Sequence, residues 1–148
     1  GPKPSPKPRV KRISGSQISD QVKSLIPRGE IITQPLENIL VNQSVNFLTN
    51  TPLHFTTVLV VLGTPITIHL TPEFLWEFGD GTRLAGAPYP LMLIENTYKS
   101  SGQKKVELTT TWSGLWRAGS LSAPVDGVIV QKVRRDLEIR PARGIYRG

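Results

Sequence analysis

Residues 75–82, Leu-Trp-Glu-Phe-Gly-Asp-Gly-Thr, constrain the fold of this chain more than any other stretch. Leu75, Trp76 and Phe78 are large, strand-favouring residues that run directly into Gly79-Asp80-Gly81. Glycine accepts a positive φ without a Cβ clash, and aspartate hydrogen-bonds the backbone beside it, so Asp-Gly is a strong turn signal. On a strand Trp76 and Phe78 point the same way and Glu77 the other, which gives one heavily aromatic face. The stretch predicts a core strand that ends in a tight turn.

The rest of the chain supports extended structure. Val45 and Phe47 alternate with polar neighbours, and Ile66-Thr67-Ile68-His69-Leu70 alternates strictly. Phe55 to Leu62 is a nearly continuous apolar run, short enough to predict a strand buried on both faces. Gly63-Thr64-Pro65 is expected to turn the chain, and Ile31-Ile32 to begin an edge strand limited by Pro35. Leu91–Ile94 is expected as a short strand. Lys105–Trp112 is expected as a longer one, with Val106, Leu108, Thr110 and Trp112 on one face, and Ser113-Gly114 turning after it. In the last candidate strand, 128–139, Val133, Leu137 and Ile139 are in phase opposite Lys132, Arg134 and Arg140. Val128 and Val130 break that phase, which is expected of a bulge or of a crossing between sheets. One short helix fits within residues 14–28, where Ile18, Val22, Leu25 and Ile26 recur at helical spacing before Pro27.

Charge divides the chain. Seven Lys/Arg against one Asp give residues 1–28 a charge of +6, residues 29–131 carry −3, and residues 132–148 carry +4. Lys3, Lys7, Arg9, Lys11 and Arg12 sit among alternate prolines, a composition that favours extended polyproline II in water. The expected organisation is a Pro/Lys-rich linker or arm over 1–29, a body over 30–140 and a basic tail over 141–148. No run approaches the ~18 apolar residues of a membrane span, and no signal peptide is evident. The leading Gly1-Pro2 reads as a cleavage scar on a piece of something larger. With no Cys, disulfides, thiolate chemistry and Cys-based zinc sites are excluded.

The run Trp76-Glu77-Phe78-Gly79-Asp80-Gly81, then Asn96-Thr97-Tyr98-Lys99, then Gly102-Gln103-Lys104-Lys105-Val106-Glu107-Leu108-Thr109, resembles the PKD (polycystic kidney disease) domain. That family's pattern is Trp-Asp-Phe-Gly-Asp-Gly, then His-Thr-Tyr, then Gly-x-Tyr-x-Val-x-Leu. Here Glu77 replaces the first Asp, Asn96 the His, and Lys104 the aromatic residue. The resemblance is close over 75–112 and loose elsewhere. Thr110-Thr111-Trp112-Ser113-Gly114 also resembles a variant of the domain common in secreted actinobacterial proteins. The resemblance implies an all-β, immunoglobulin-like antiparallel β-sandwich with extended basic arms, and a buried Tyr98 at a tyrosine-corner-like position. It further implies a non-catalytic module, extracellular or at the cell surface, that serves as a spacer or as a recognition and adhesion domain. Its partner would be a protein or carbohydrate.

Motifs for chemistry are sparse. His54 and His69 are the only histidines, and neither falls in a nucleophile, zincin or phosphate-loop spacing, so no enzyme activity, metal or cofactor is expected. Glu77 and Asp80 offer two carboxylates to a calcium ion that takes six to eight oxygens, and Asp80 reads first as a turn former. Tyr89, Trp116 and Arg117 form the candidate binding surface, since exposed aromatic residues anchor carbohydrate and protein contacts. Trp112 is expected in the core. The alternative function is a basic-arm module for an anionic polymer, either a cell-wall polymer or nucleic acid. Strand addition at an open sheet edge, or ordering of the arms against another copy, offers a route to self-assembly.

Overall fold

The computed structural model describes residues 15–142. Lys3, Lys7, Arg9, Lys11 and Arg12 of the expected basic arm lie outside those residues, as does 143–148 of the expected tail. Among the described residues the fold is all-β apart from the helix α1 (Gly15–Leu25). Its strands are β1 (Ile31–Gln34), β2 (Ile39–Leu40), β3 (Ser44–Thr49), β4 (Phe55–Val61), β5 (Thr64–Glu77), β6 (Arg83–Ala85), β7 (Ile94–Thr97), β8 (Gly102–Ala118), β9 (Leu121–Pro124) and β10 (Ile129–Arg140). The single span expected at 30–140 divides into two compact units. The first takes residues up to Ile26, His54–Thr71 and Ser113–Ile129, and the second takes Pro27–Leu53, Pro72–Trp112 and the chain from Val130.

In the first unit α1 packs against β4. Ile18, Val22 and Ile26 recur every four residues and so share one helix face, and all three are buried. The helix falls where the apolar spacing predicts it. Residues 18–26, however, belong to a packed unit and not to the linker expected over 1–29, because that apolar stripe is covered.

The β4–β5 hairpin pairs Phe55 with Leu70 through to Val61 with Thr64. Its two-residue turn is Leu62-Gly63, with φ of 53° and 79°. A hairpin turn of this twist requires positive φ at both positions, which suits Gly63 and strains a Leu. The expectation that β4 is buried on both faces is corrected. Leu59 and Val61 are buried, while Val58 and Val60 are 60% and 66% exposed. Among the described residues β4 has β5 as its only strand neighbour, so it ends the sheet. The turn expected at Ser113-Gly114 is also absent, since β8 continues to Ala118 and then pairs with β9 after Gly119. Gly114 permits this by letting another backbone close in: a Cβ there would stand 1.9 Å from the His69 carbonyl oxygen. Thr71-Pro72 likewise does not interrupt β5.

The second unit has two sheets. In one, β3 lies antiparallel between β1 and β7, with Phe47 opposite Thr33 on one side and Ile94 on the other. In the other, β10 lies between β2 and β8, residues 72–77 of β5 follow, and β6 pairs with Leu75–Glu77. Alternation aims Val45 and Phe47 of the first sheet, and Trp76, Val106, Leu108, Leu137 and Ile139 of the second, into one buried cluster with Phe78, Ile94 and Tyr98. Phe47 sits 4.9 Å from Phe78 and 6.3 Å from Trp76, centroid to centroid, in tilted arrangements that aromatic quadrupoles favour.

On β10 the buried positions are Ile129, Gln131, Leu137 and Ile139, so the phase holds from the first residue. Val130 occupies the alternate set and Val128 precedes the strand, so no bulge is needed to explain them. The strand expected at Leu91–Ile94 begins only at Ile94, and Leu91, Met92 and Leu93 are exposed in the preceding loop, where the Leu91 amide donates to the Pro88 carbonyl.

Two outcomes follow from this packing. Ile18→Ala should lower stability by about 2–5 kcal/mol in urea unfolding, the cost of a large-to-small core change; no change would place the helix in solvent. Leu62→Asn should raise stability by roughly 1 kcal/mol, because Asn tolerates the left-handed region that penalises Leu.

Candidate functional site

The Gly79-Asp80-Gly81 turn is closed by hydrogen bonds from three directions. The Phe78 amide donates to the Thr82 carbonyl at 3.1 Å. Asp80 Oδ1 accepts the Thr82 amide at 3.0 Å and also the Thr82 hydroxyl. From the end of β7, Asn96 Nδ2 donates to Asp80 Oδ2 at 3.0 Å. Tyr98, fully buried, donates its hydroxyl to the Phe78 carbonyl at 2.8 Å. That bond gives a buried acceptor its partner and fixes the ring against the core.

Both glycines have positive φ, 84° at Gly79 and 87° at Gly81. At Gly79 there is a second reason for glycine, since a Cβ would lie 2.6 Å from the Lys105 amide nitrogen on β8. The turn therefore abuts β8 backbone to backbone. Trp76 Nε1 donates to the Gly86 carbonyl at 3.1 Å, so the one polar atom of a buried ring is satisfied and the chain beyond the turn is tied down.

Electrostatics follow from the same contacts. Partial burial pushes the Asp80 carboxyl upward, but the hydrogen bonds from Asn96 and Thr82 together outweigh it and hold the group below its ordinary value of 3.8. Burial pushes the Tyr98 phenol well above its usual range, and the Asp80 charge adds to that. Every oxygen of Asp80 described above is engaged within the turn. Glu77 is half-buried on the opposite face of β5 and stands apart from that network.

The structure brings Trp76, Phe78, Gly79, Asp80, Gly81, Tyr98, Val106 and Leu108 together around one turn and one core. Gly102, at φ 115°, opens β8 in a conformation that favours glycine. Asn96, at the position where the resembled pattern has His, and Thr82, directly after the bend, both hold Asp80, a role that the sequence alone does not assign to them. The candidate surface is not gathered in one unit. Tyr89 is 62% exposed in a loop of the second unit, whereas Trp116 is half-buried and Arg117 exposed on the β8–β9 hairpin of the first. Trp112 is fully buried, and its Nε1 donates to Gln131 Oε1 at 3.0 Å. His69 lies exposed on β5 with Nδ1 at 3.0 Å from the Thr56 hydroxyl. Among the described residues no group of three or more His, Asp or Glu converges as a metal site, and no helix is long and apolar enough to cross a membrane.

Comparison with protein-family models, with curated proteins and with solved structures finds no match to this chain.

Removing the Tyr98 hydroxyl leaves the Phe78 carbonyl buried without a donor, so Tyr98→Phe should cost about 1–3 kcal/mol in urea unfolding. Asp80 has a folded pKa below its unfolded one, so its contribution is present above the unfolded value and is lost as pH falls through the folded value. Stability of the wild type should therefore drop on acidification below the ordinary 3.8, and Asp80→Asn should flatten that drop. Parallel acid profiles for the two proteins would contradict the assignment.

Proposed function

We propose that the body of this chain is an immunoglobulin-like β-sandwich module of PKD type, non-catalytic, acting outside the cell or at its surface as a spacer or as a recognition and adhesion domain of a larger protein. What supports the reading most is the closure of the Trp-Glu-Phe-Gly-Asp-Gly turn by Asn96 and Tyr98, the residues that the family pattern places downstream of it. Two facing sheets with a shared aromatic core are the architecture such a module uses. The chemistry present is that of a scaffold: donors and acceptors around Asp80 are spent on the turn, and the exposed Tyr89 and half-buried Trp116 are suited to protein or carbohydrate contacts.

The rival reading assigns binding to the basic arm with Lys3, Lys7, Arg9, Lys11 and Arg12. Truncation separates the two, and the cut belongs after residue 14, since residues 18–26 pack in the first unit. Protein lacking residues 1–14 should retain binding to insoluble polysaccharides and surface proteins in a pull-down assay, with Tyr89→Ala or Trp116→Ala weakening it. Binding abolished by the truncation alone would transfer the function to the arm, and turnover of a hydrolase substrate lost in His69→Ala would make the chain an enzyme.

A further inference from the structure

The second unit carries a cationic groove that neither the turn nor the aromatic candidates involve. Its volume is about 610 Å³, and its walls are residues 28–31 on one side and residues 132–135 of β10 on the other. Alternation along β10 sends Lys132 and Arg134 outward, with side chains 61% and 67% exposed. Arg135, on the other face, donates Nη1 to the Ile31 carbonyl at 3.0 Å and Nη2 to the Leu36 carbonyl at 3.1 Å. Arg28 donates Nη2 to the Lys132 carbonyl at 2.9 Å. Two guanidinium groups are thus positioned by neutral carbonyl oxygens, which hold their geometry without removing their charge.

The acidic groups facing these cations are few. Glu30 lines the groove, and Glu107 on β8 is shared by Lys132 at 3.8 Å and Arg134 at 3.4 Å. At the groove Arg28, Lys132, Arg134 and Arg135 meet Glu30 and Glu107, while Arg135 also borders a neighbouring cavity that holds Glu37, Asp136 and Glu138. Farther along the same face of β10 come Asp136 and Glu138, the latter 3.5 Å from Arg140, so the cationic stretch ends at Arg135. No aromatic residue lines the groove, so nothing there stacks a nucleic-acid base. Guanidinium forks with N–H groups to spare match sulfate and carboxylate oxygens, and an open groove admits a chain that passes through it.

We propose that the Arg28/Lys132/Arg134/Arg135 groove binds a linear anionic polysaccharide through its charged substituents. This rests on the reading of the body as a recognition module and gives that module a ligand class.

The test is calorimetric titration of the full chain with a dextran sulfate oligosaccharide, alongside neutral dextran and single-stranded DNA. Dextran sulfate should bind, neutral dextran should not, and the affinity should fall as salt screens the groove. Arg28→Ala and Arg134→Ala should each weaken binding about tenfold, the loss of one charge-assisted contact. Arg28→Lys should recover part of the loss, and Arg83→Ala, an exposed cation elsewhere on this unit, should change nothing. Arg134 makes no backbone contact in the groove, so its variant tests the site even if Arg28→Ala unfolds. Unchanged affinity in Arg134→Ala, absence of any binding, tighter binding to DNA, or loss of binding on removing residues 1–14 alone would each overturn the proposal. Polysaccharide or protein capture that persists without 1–14 while the groove variants are silent would leave the module reading standing and remove only this ligand.

Discussion

The meeting of Phe47 with Trp76 and Phe78 is the interaction on which the second unit depends. Phe47 belongs to the β1-β3-β7 sheet, whereas Trp76 lies near the end of β5 in the other and Phe78 directly follows that strand. A sheet that is apolar on one face must bury that face against another layer. The aromatic contact across the core gives each sheet a surface to cover, at positions that strand alternation alone selects. Trp76 and Phe78 keep their places because the chain stops abruptly after them, and it stops there because Gly79 and Gly81 adopt positive φ while Asp80, Thr82, Asn96 and Tyr98 close the bend. Packing and turn chemistry are two parts of one device.

That device was legible in the sequence because its causes are local. A Gly-Asp-Gly bend is written in three consecutive residues, and a period of two places Trp76 and Phe78 on the same face. Ile18, Val22 and Ile26 announced a helix in the same way. What escaped was decided by distant neighbours. Nothing within Phe55–Leu62 tells that β4 ends its sheet, so the exposure of Val58 and Val60 was not foreseeable from the run itself. Ser113-Gly114 has the composition of a turn, but glycine is needed there for the close approach of His69. The division into two units was equally hidden, because β5 and β8 each contribute residues to both without any break in strand character.

Function is legible to a different degree. The turn binds its own polar groups so completely that Asp80, which the sequence offers with Glu77 as carboxylates for calcium and first as a turn former, is occupied in structure. The distribution of charge is the more informative property. Basic residues crowd the chain ends, yet Arg28, Lys132, Arg134 and Arg135 belong to the packed body, gathered where residues 28–31 run beside β10. Arg135 shows how one side chain serves both purposes, since its bonds to Ile31 and Leu36 tie β10 to the strand β1 region while keeping a positive charge in the groove.

The central claim is that aromatic rings from two sheets share one dry core beside a closed turn. Nuclear Overhauser contacts of the Phe47 ring protons test it most directly. Cross-peaks from Phe47 to both Phe78 and Trp76, with an additional contact between Phe78 and Tyr98, are the predicted result. Ring protons of Trp76 and Phe78 that show no contact to Phe47 and are broadened by a soluble paramagnetic probe would contradict it.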